Sequence, residues 1–343
     1  MIKYLGSKRV LLPRILATIE RLPGSRTVLD LFSGTSRVGH ALKRTGRLVL
    51  ANDHNAYAYA LARCYVQADR ERVGRDAERL LAELARVSPA PGWFTETYCE
   101  RARYFHPRNG ARIEAMREWI ARRELEPDLE AVLLVALMEA ADRVDSTTGV
   151  QMAYLKRWAP RALSEIALRM PDVLAGAGRA YGLDALAAAE RLEADVAYLD
   201  PPYNQHRYLG NYHVWESLVR WDHPEVYGVA CKRVACRSYA SDFNSKRRIG
   251  PALATLLERL RVRHLVVSFN DEGYLSRDEL EALLSRRGHV EVVAVDGKRY
   301  VGSQIGIYNP RGERVGQPGR LRNTEYLFIV SEDVRAVRAA AAA

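Results

Sequence analysis

The sequence predicts an α/β protein, built on a mostly parallel sheet and carrying a helical insert. Three observations carry this expectation. The stretch Thr27-Val28-Leu29-Asp30-Leu31-Phe32-Ser33-Gly34-Thr35-Ser36 reads as a β-branched strand, an acidic residue and a Gly/Ser/Thr turn, and a helical pattern over 37–44 follows. A second apolar run, 194–199, stops at Asp200-Pro201-Pro202-Tyr203, because two prolines cannot extend a ladder and restrict the residue before them. Between these, residues 56–180 are helical in pattern, rich in Arg, Glu and Ala, and poor in strand-like runs.

Composition bounds the answer without deciding it. The chain has 343 residues, enough for one large domain or two. Hydrophobic residues at 48% and charged residues at 27% are ordinary for a soluble globular protein. A formal net charge of +10 favours a polyanionic partner, although GC-rich coding would also enrich Arg and Ala. The four cysteines, Cys64, Cys99, Cys231 and Cys236, are dispersed and lack zinc-site spacing, which predicts reduced, buried thiols and no metal. Met1-Ile2-Lys3-Tyr4 lacks a secretory h-region, and the longest apolar run, 131–138, is too short for a bilayer. A cytoplasmic protein without a membrane anchor is expected.

Taken in order, the chain opens with Tyr4-Leu5-Gly6-Ser7-Lys8-Arg9, a Gly-Ser turn with two cations that suits either an anion cradle or a solvated loop. A helix is expected over 11–21, ending before Pro23-Gly24. After the Asp30 turn comes a strand, 48–51, ending in Asn52-Asp53. An acid there, about 20 residues after the first turn, is placed to hold a ribose diol or to cap the next helix. Gly34 and Gly39 do not complete G-x-G-x-x-G, which argues against a tightly held pyrophosphate.

Within 56–180, helices are expected over 67–87, 113–122 and 128–142, the last apolar enough to form the insert's core. Loops fall at Ser88-Pro89-Ala90-Pro91-Gly92 and Asp145-Ser146-Thr147-Thr148-Gly149. Basic and aromatic residues alternate around Arg101, Arg103 and Lys156, fitting either a nucleic-acid surface or a solvated cap. Asp184 ends a short third strand or caps a helix over 185–192. Beyond the tetrad, the polar, aromatic loop 204–213 is long enough for a lid. Helices over 214–220 and 252–261, a strand over 264–269, a capping box at Ser276 and Glu279, a strand over 289–295 and late strands within 302–308 and 324–330 follow. The Ala-rich residues 336–343 read as a disordered tail.

The tetrad has a specific chemical capacity. Asp200 and the Pro201 carbonyl are acceptors that can take both N–H hydrogens of a planar exocyclic amine, and the Tyr203 ring offers a stacking face. Such a clamp needs no metal or covalent nucleophile, so catalysis reduces to positioning and electrostatics. A base inside a duplex would first have to be flipped out.

This constellation resembles the DNA N6-adenine methyltransferases of the α arrangement, the Dam-like group, over nearly the whole chain. Tyr4-Leu5-Gly6-Ser7-Lys8, Asp30 to Ser36, Asn52-Asp53, the insert, Asp200-Pro201-Pro202-Tyr203, Ser268 to Gly273 and Val301 to Pro310 fall where that group carries its motifs. The resemblance implies a Rossmann-like, seven-stranded methyltransferase fold. Its catalytic part would be 1–55 with 181–335, and its target-recognition insert 56–180. It also implies S-adenosyl-L-methionine as cofactor. Tyr4, Lys8, Asp30, Phe32, Gly34, Thr35 and Ser36 would lie around the cofactor, Asp53 on its ribose and Asp184 on its adenine amine. Asp200 and Tyr203 would hold the target adenine, and Ser36 stands where many relatives have glycine.

Double-stranded DNA is the implied partner, with Arg143, Thr147, Lys156, Arg207, Tyr208 and Tyr212 as candidate contacts. A cognate restriction enzyme and a monomer or weak dimer are further expectations. The competing readings are N4-cytosine methylation, where Ser usually replaces the Asp, methylation of ribosomal RNA adenine, and a catalytically silent DNA-binding module.

Overall fold

A computed structural model describes residues 1–298, 307–308, 314–316 and 322–343. Its centre is a seven-stranded sheet. We number its strands β1 (Thr27–Asp30), β2 (Leu48–Asn52), β3 (Gly178–Tyr181), β4 (Val196–Leu199), β5 (His264–Asn270), β6 (His289–Lys298) and β7 (Arg322–Ser331). The spatial order is β3-β2-β1-β4-β5-β7-β6, parallel except for β7, which runs against both its neighbours. Every side chain of β4 and β5 is buried, as expected of strands covered on both faces. The Rossmann-like α/β class expected from the sequence is the one observed.

Helices cover both faces. Leu12–Arg21, Arg37–Arg44 and Val334–Ala341 pack on one, through Ile15, Ile19, Leu42 and Val337. Ala185–Arg191, Ile249–Arg259 and Arg277–Leu284 pack on the other, through Ala188, Leu253, Leu256 and Leu280. Ser276 and Glu279 form the expected capping box. All four cysteines are free and buried. Among the described residues no helix is long and apolar enough to cross a membrane.

The chain order reverses between β1 and β4. Both pair in parallel, with Asp30 opposite Tyr198, so the turn after β1 and the tetrad after β4 emerge side by side at the carboxyl edge. Such a switch point opens a crevice.

Two expectations change here. Residues 336–343 are not a loose tail. Asp333 caps a helix by accepting from the N–H groups of Arg335 and Ala336, and Ala336, Val337 and Ala340 are buried against the first helix and the sheet. Small alanines allow that close approach, which a reading of composition alone takes for fraying.

The division of the chain also differs from 56–180 and 181–335. β3 starts at Gly178, inside the expected insert, and Gln67 Oε1 accepts from the Ala180 N–H, so residues near both ends of 56–180 are bound to the sheet. Conversely, Val214, Trp215 and Leu218 of the helix His213–Arg220 are buried in the insert core with Leu133, Leu137 and Tyr98. The helix after the tetrad loop thus crosses into the insert. The expected strand over 302–308 lies outside the described residues apart from Ile307–Tyr308, which pairs with Arg314–Gly316.

Val337→Ala tests the packed C-terminal helix. Losing two buried carbons and leaving a small cavity should cost about 2 kcal/mol, read by urea denaturation. A frayed terminus would give no change.

Candidate active site

β4 delivers Asp200 to the carboxyl edge of the sheet, and the two prolines fix where the carboxylate stands. Lys8 meets it there: Nζ lies 3.0 Å from Asp200 Oδ1 and 3.5 Å from Glu325 Oε2 on β7. Lys8 is only 7% exposed, so this is a buried cation between two acids, not a solvated loop residue. Burial alone would lower its proton affinity, but Asp200, Tyr203 and Glu325 more than offset that and hold it charged. Desolvation raises the Asp200 carboxyl to about 6, with Lys8 pulling it down and Glu325 pushing it up.

Tyr203 departs from the expected stacking platform. Its ring is 9% exposed, packs 4.7 Å from Phe269 and has the Lys8 ammonium 5.8 Å from its centre. Its hydroxyl accepts from Asn270 Nδ2 at 3.0 Å. The face that a base would use is covered in this state of the protein.

Beside the tetrad, the turn after β1 forms the second wall of a cleft of about 700 Å³. Tyr4, Lys8, Asp30, Phe32, Gly34, Thr35, Asp53, Asp184, Asp200 and Tyr208 all line it. Gly34 takes φ +51°, and a Cβ there would stand 3.2 Å from the Tyr4 ring, so both the backbone and the space favour glycine. Asp53 holds this turn, since its Oδ2 accepts from the Gly34 N–H at 3.0 Å and its Oδ1 from the Asn55 N–H at 3.0 Å. Each carboxylate oxygen has two lone pairs, so Oδ2 retains capacity for a further donor. Asp184 caps the helix Ala185–Arg191 through the Leu186 N–H at 2.9 Å while standing at the cleft rim. The cap and the binding reading are therefore compatible.

Ser36 does not line the cleft. It is fully buried at φ 58°, and its hydroxyl has no hydrogen-bond partner. Its backbone conformation, rather than contact with a ligand, is what glycine would satisfy at this position.

Desolvation also raises Asp30 to about 7 and Asp53 above the usual range. The cleft therefore gathers Asp30, Asp53, Asp184 and Asp200 against one buried cation, Lys8, with Arg37 and Arg248 at its wall. A cavity of this size, acidic and edged by the aromatic rings of Tyr4, Phe32, Tyr239 and Phe243, fits a cationic ligand with a planar ring. Burial is the main reason that Asp30, Asp53 and Asp200 hold their protons more tightly, and a cationic ligand would favour their charged forms.

The candidate DNA contacts separate into two groups. Lys156 and Arg207 are exposed, and Tyr208 stacks on Tyr4 at 5.3 Å. Arg143 donates to the Ala167 carbonyl at 2.9 Å. Thr147 and Tyr212 are 3% and 1% exposed: the first is engaged with Asp145 and the Gly149 N–H, the second stacks 4.7 Å from Tyr4 and accepts from the Leu5 N–H. Neither is presented to a partner. Glu325, Tyr239, Phe243 and Asn244 were not picked out from the sequence. Phe243 meets Phe32 edge-on at 5.3 Å, and Asn244 Nδ2 donates to the Asn204 carbonyl at 2.8 Å and the His206 carbonyl at 3.1 Å. A carboxylate opening the apolar run after Thr324 was the available signal for Glu325.

Ser36→Gly should stabilise the protein by about 1 kcal/mol, relief of left-handed strain outweighing the entropy of glycine. Thermal denaturation should show a higher midpoint, and a lower one would mean the buried hydroxyl is used.

Residues 4–283 match the sequence profile of the D12 class N6 adenine-specific DNA methyltransferases. The type II methyltransferase M.FokI of Planomicrobium okeanokoites is 32% identical over 85% of this chain and 48% of its own length. M.NlaIII of Neisseria lactamica is 30% identical over 87% of this chain and 92% of its own length, and the modification methylase StsI of Streptococcus sanguinis is 26% identical over 88% and 49%. The chain thus spans about half the length of M.FokI and StsI and nearly all of M.NlaIII. With four-fifths of its length matched and its acidic cleft at the switch point of the sheet, the chain belongs to the D12 class of N6 adenine-specific DNA methyltransferases.

Proposed function

We propose that the protein transfers a methyl group from S-adenosyl-L-methionine to N6 of an adenine flipped out of double-stranded DNA. The observation that carries this reading is the shared cleft: the Asp200 carboxylate opens on the same cavity as the Gly34 turn and Asp53. Bound there, the cofactor supplies an electrophilic methyl group on a sulfonium. Asp53 would take the ribose hydroxyls, Asp184 the cofactor's adenine amine, and Phe32, Gly34 and Thr35 would surround the methionine part. Asp30 adds negative charge opposite the cationic end.

The target amine would donate its two N–H hydrogens to Asp200 and to the Pro201 carbonyl. That geometry fixes the nitrogen and keeps its lone pair directed toward the methyl group. Asp200, raised by desolvation to about 6, is ionised at neutral pH and so an acceptor. An aspartate rather than a serine at the head of the tetrad favours adenine over N4 of cytosine. Pro202 lines the cleft beside Asp200, and the Tyr203–Phe269 pair packs behind it. The names of the relatives, type II methyltransferases and modification methylases, support a role in restriction-modification with a cognate endonuclease of the same specificity.

Two outcomes test this. Asp200→Ala should fold and bind the cofactor but lose methyl transfer by at least about a thousandfold, comparable to losing a key transition-state contact. The product is read by digesting labelled DNA to nucleosides; N4-methylcytosine in the digest, or label confined to RNA, would overturn the reading. Cofactor affinity should also depend on pH. Protonation of Asp30 near pH 7 and of Asp200 near pH 6 removes negative charge from the cleft, so affinity for a cation falls as the solution is acidified. Calorimetric titration should show about tenfold weaker binding at acidic than at alkaline pH, with proton release on binding. A flat profile would mean that these carboxylates do not face the charge.

A further inference from the structure

Lys8 occupies a place that the proposed reaction needs empty. Its ammonium is 3.0 Å from Asp200 Oδ1 and 5.8 Å from the centre of the Tyr203 ring. On the proposed function, on which this inference rests, the target amine takes that carboxylate and the base takes that space. The ammonium must therefore leave Asp200, yet it lies in a site nearly closed to water, where an unpaired charge is costly.

A second carboxylate is already in place. Glu325 Oε2 lies 3.5 Å from Lys8 Nζ, buried and without a hydrogen-bond partner. Its other oxygen, Oε1, accepts from Asn270 Nδ2 at 3.4 Å, the same amide that reaches the Tyr203 hydroxyl. Pairing of β7 with β5 sets Glu325 opposite Asn270, so the acid stands on a rigid strand rather than a loop. It also lies outside residues 4–283, the segment that matches the family profile.

We propose that Glu325 is a positioning residue for methyl transfer, taking the Lys8 ammonium when the target amine takes Asp200. Lysine suits this exchange, because its charge is compact and its four-carbon stem is flexible. The move is short, a contraction of the existing 3.5 Å approach into a hydrogen bond. It keeps the cation neutralised throughout and frees the Asp200 carboxylate for the amine. Without Glu325 the ammonium remains on Asp200 and competes with the amine.

The test compares Glu325→Gln, which keeps the shape and removes the charge, in two backgrounds. Rates are taken under single-turnover conditions on a duplex with a mapped adenine site, so that slow variants remain measurable. In the otherwise wild-type chain the substitution should lower the methylation rate about tenfold while leaving cofactor affinity within about twofold. Glu325→Asp, which keeps the charge, should recover most of the loss. In a Lys8→Met background, Glu325→Gln should cost less than about twofold, because there is no ammonium left to receive. Equal losses in both backgrounds, or full activity of Glu325→Gln alone, would overturn the proposal. Failure of the underlying reading has a different signature: the unsubstituted protein would not methylate adenine, or Asp200→Ala would stay active.

Discussion

One buried ammonium holds the working edge of this protein together. Lys8 comes from the N-terminal turn, Asp200 from the end of β4 and Glu325 from β7, and the cation is within 3.0 and 3.5 Å of the two acids. Two carboxylates set this close in low dielectric would repel each other without it. The same cation fastens the N-terminal turn, which has no place in the sheet, over the strand that ends in the tetrad. Stability and chemistry therefore draw on a single interaction, and the site is poised rather than open.

The sheet order explains why such an arrangement is available. At the reversal between β1 and β4, the Gly34 turn and the tetrad leave the sheet as neighbours. The antiparallel β7 then carries a side chain to the same edge from the opposite chain direction, which a wholly parallel sheet would not do. Its first residues, not its last, reach the carboxyl ends of β4 and β5. That inversion is what places Glu325 beside Asp200.

Much of this was legible in the sequence where the signal is local. Asp30 to Ser36, Asn52-Asp53 and Asp200 to Tyr203 are each a strand running into a turn, and each folds as read because strand, breaker and turn residues are adjacent in the chain. What escaped was decided by long-range packing. The local sequence leaves Lys8 between an anion cradle and a solvated loop, because its partners lie near residues 200 and 325. Tyr212 and Thr147 read as candidate DNA contacts, yet the Tyr212 ring is buried against Tyr4 and Thr147 is engaged with its own loop. The alanines at 336 and 340 read as loose, though their small size is what lets a helix close on the sheet. The insert boundary failed for a related reason: helical periodicity shows that a segment has an apolar face, but not which core receives it.

The tyrosines join these parts into one unit. Tyr4 packs against both Tyr208 and Tyr212, with ring centres 5.3 and 4.7 Å away and planes within 19° and 13°, and those two rings stack on each other at 6.4 Å. Tyr4 also crowds the space beside Gly34, while Tyr208 and Tyr212 begin and follow the short helix Tyr208–Asn211 after the tetrad. The helix that comes next, His213–Arg220, is buried in the insert core. A continuous line of packed side chains thus runs from the Gly34 turn through Tyr4 to the post-tetrad loop and on to the helical core of the insert. Close packing along this line ties the position of the helix His213–Arg220 to that of the Gly34 turn. Segments far apart in the sequence, the N-terminal turn and the helices after the tetrad, are thus joined through three tyrosine rings.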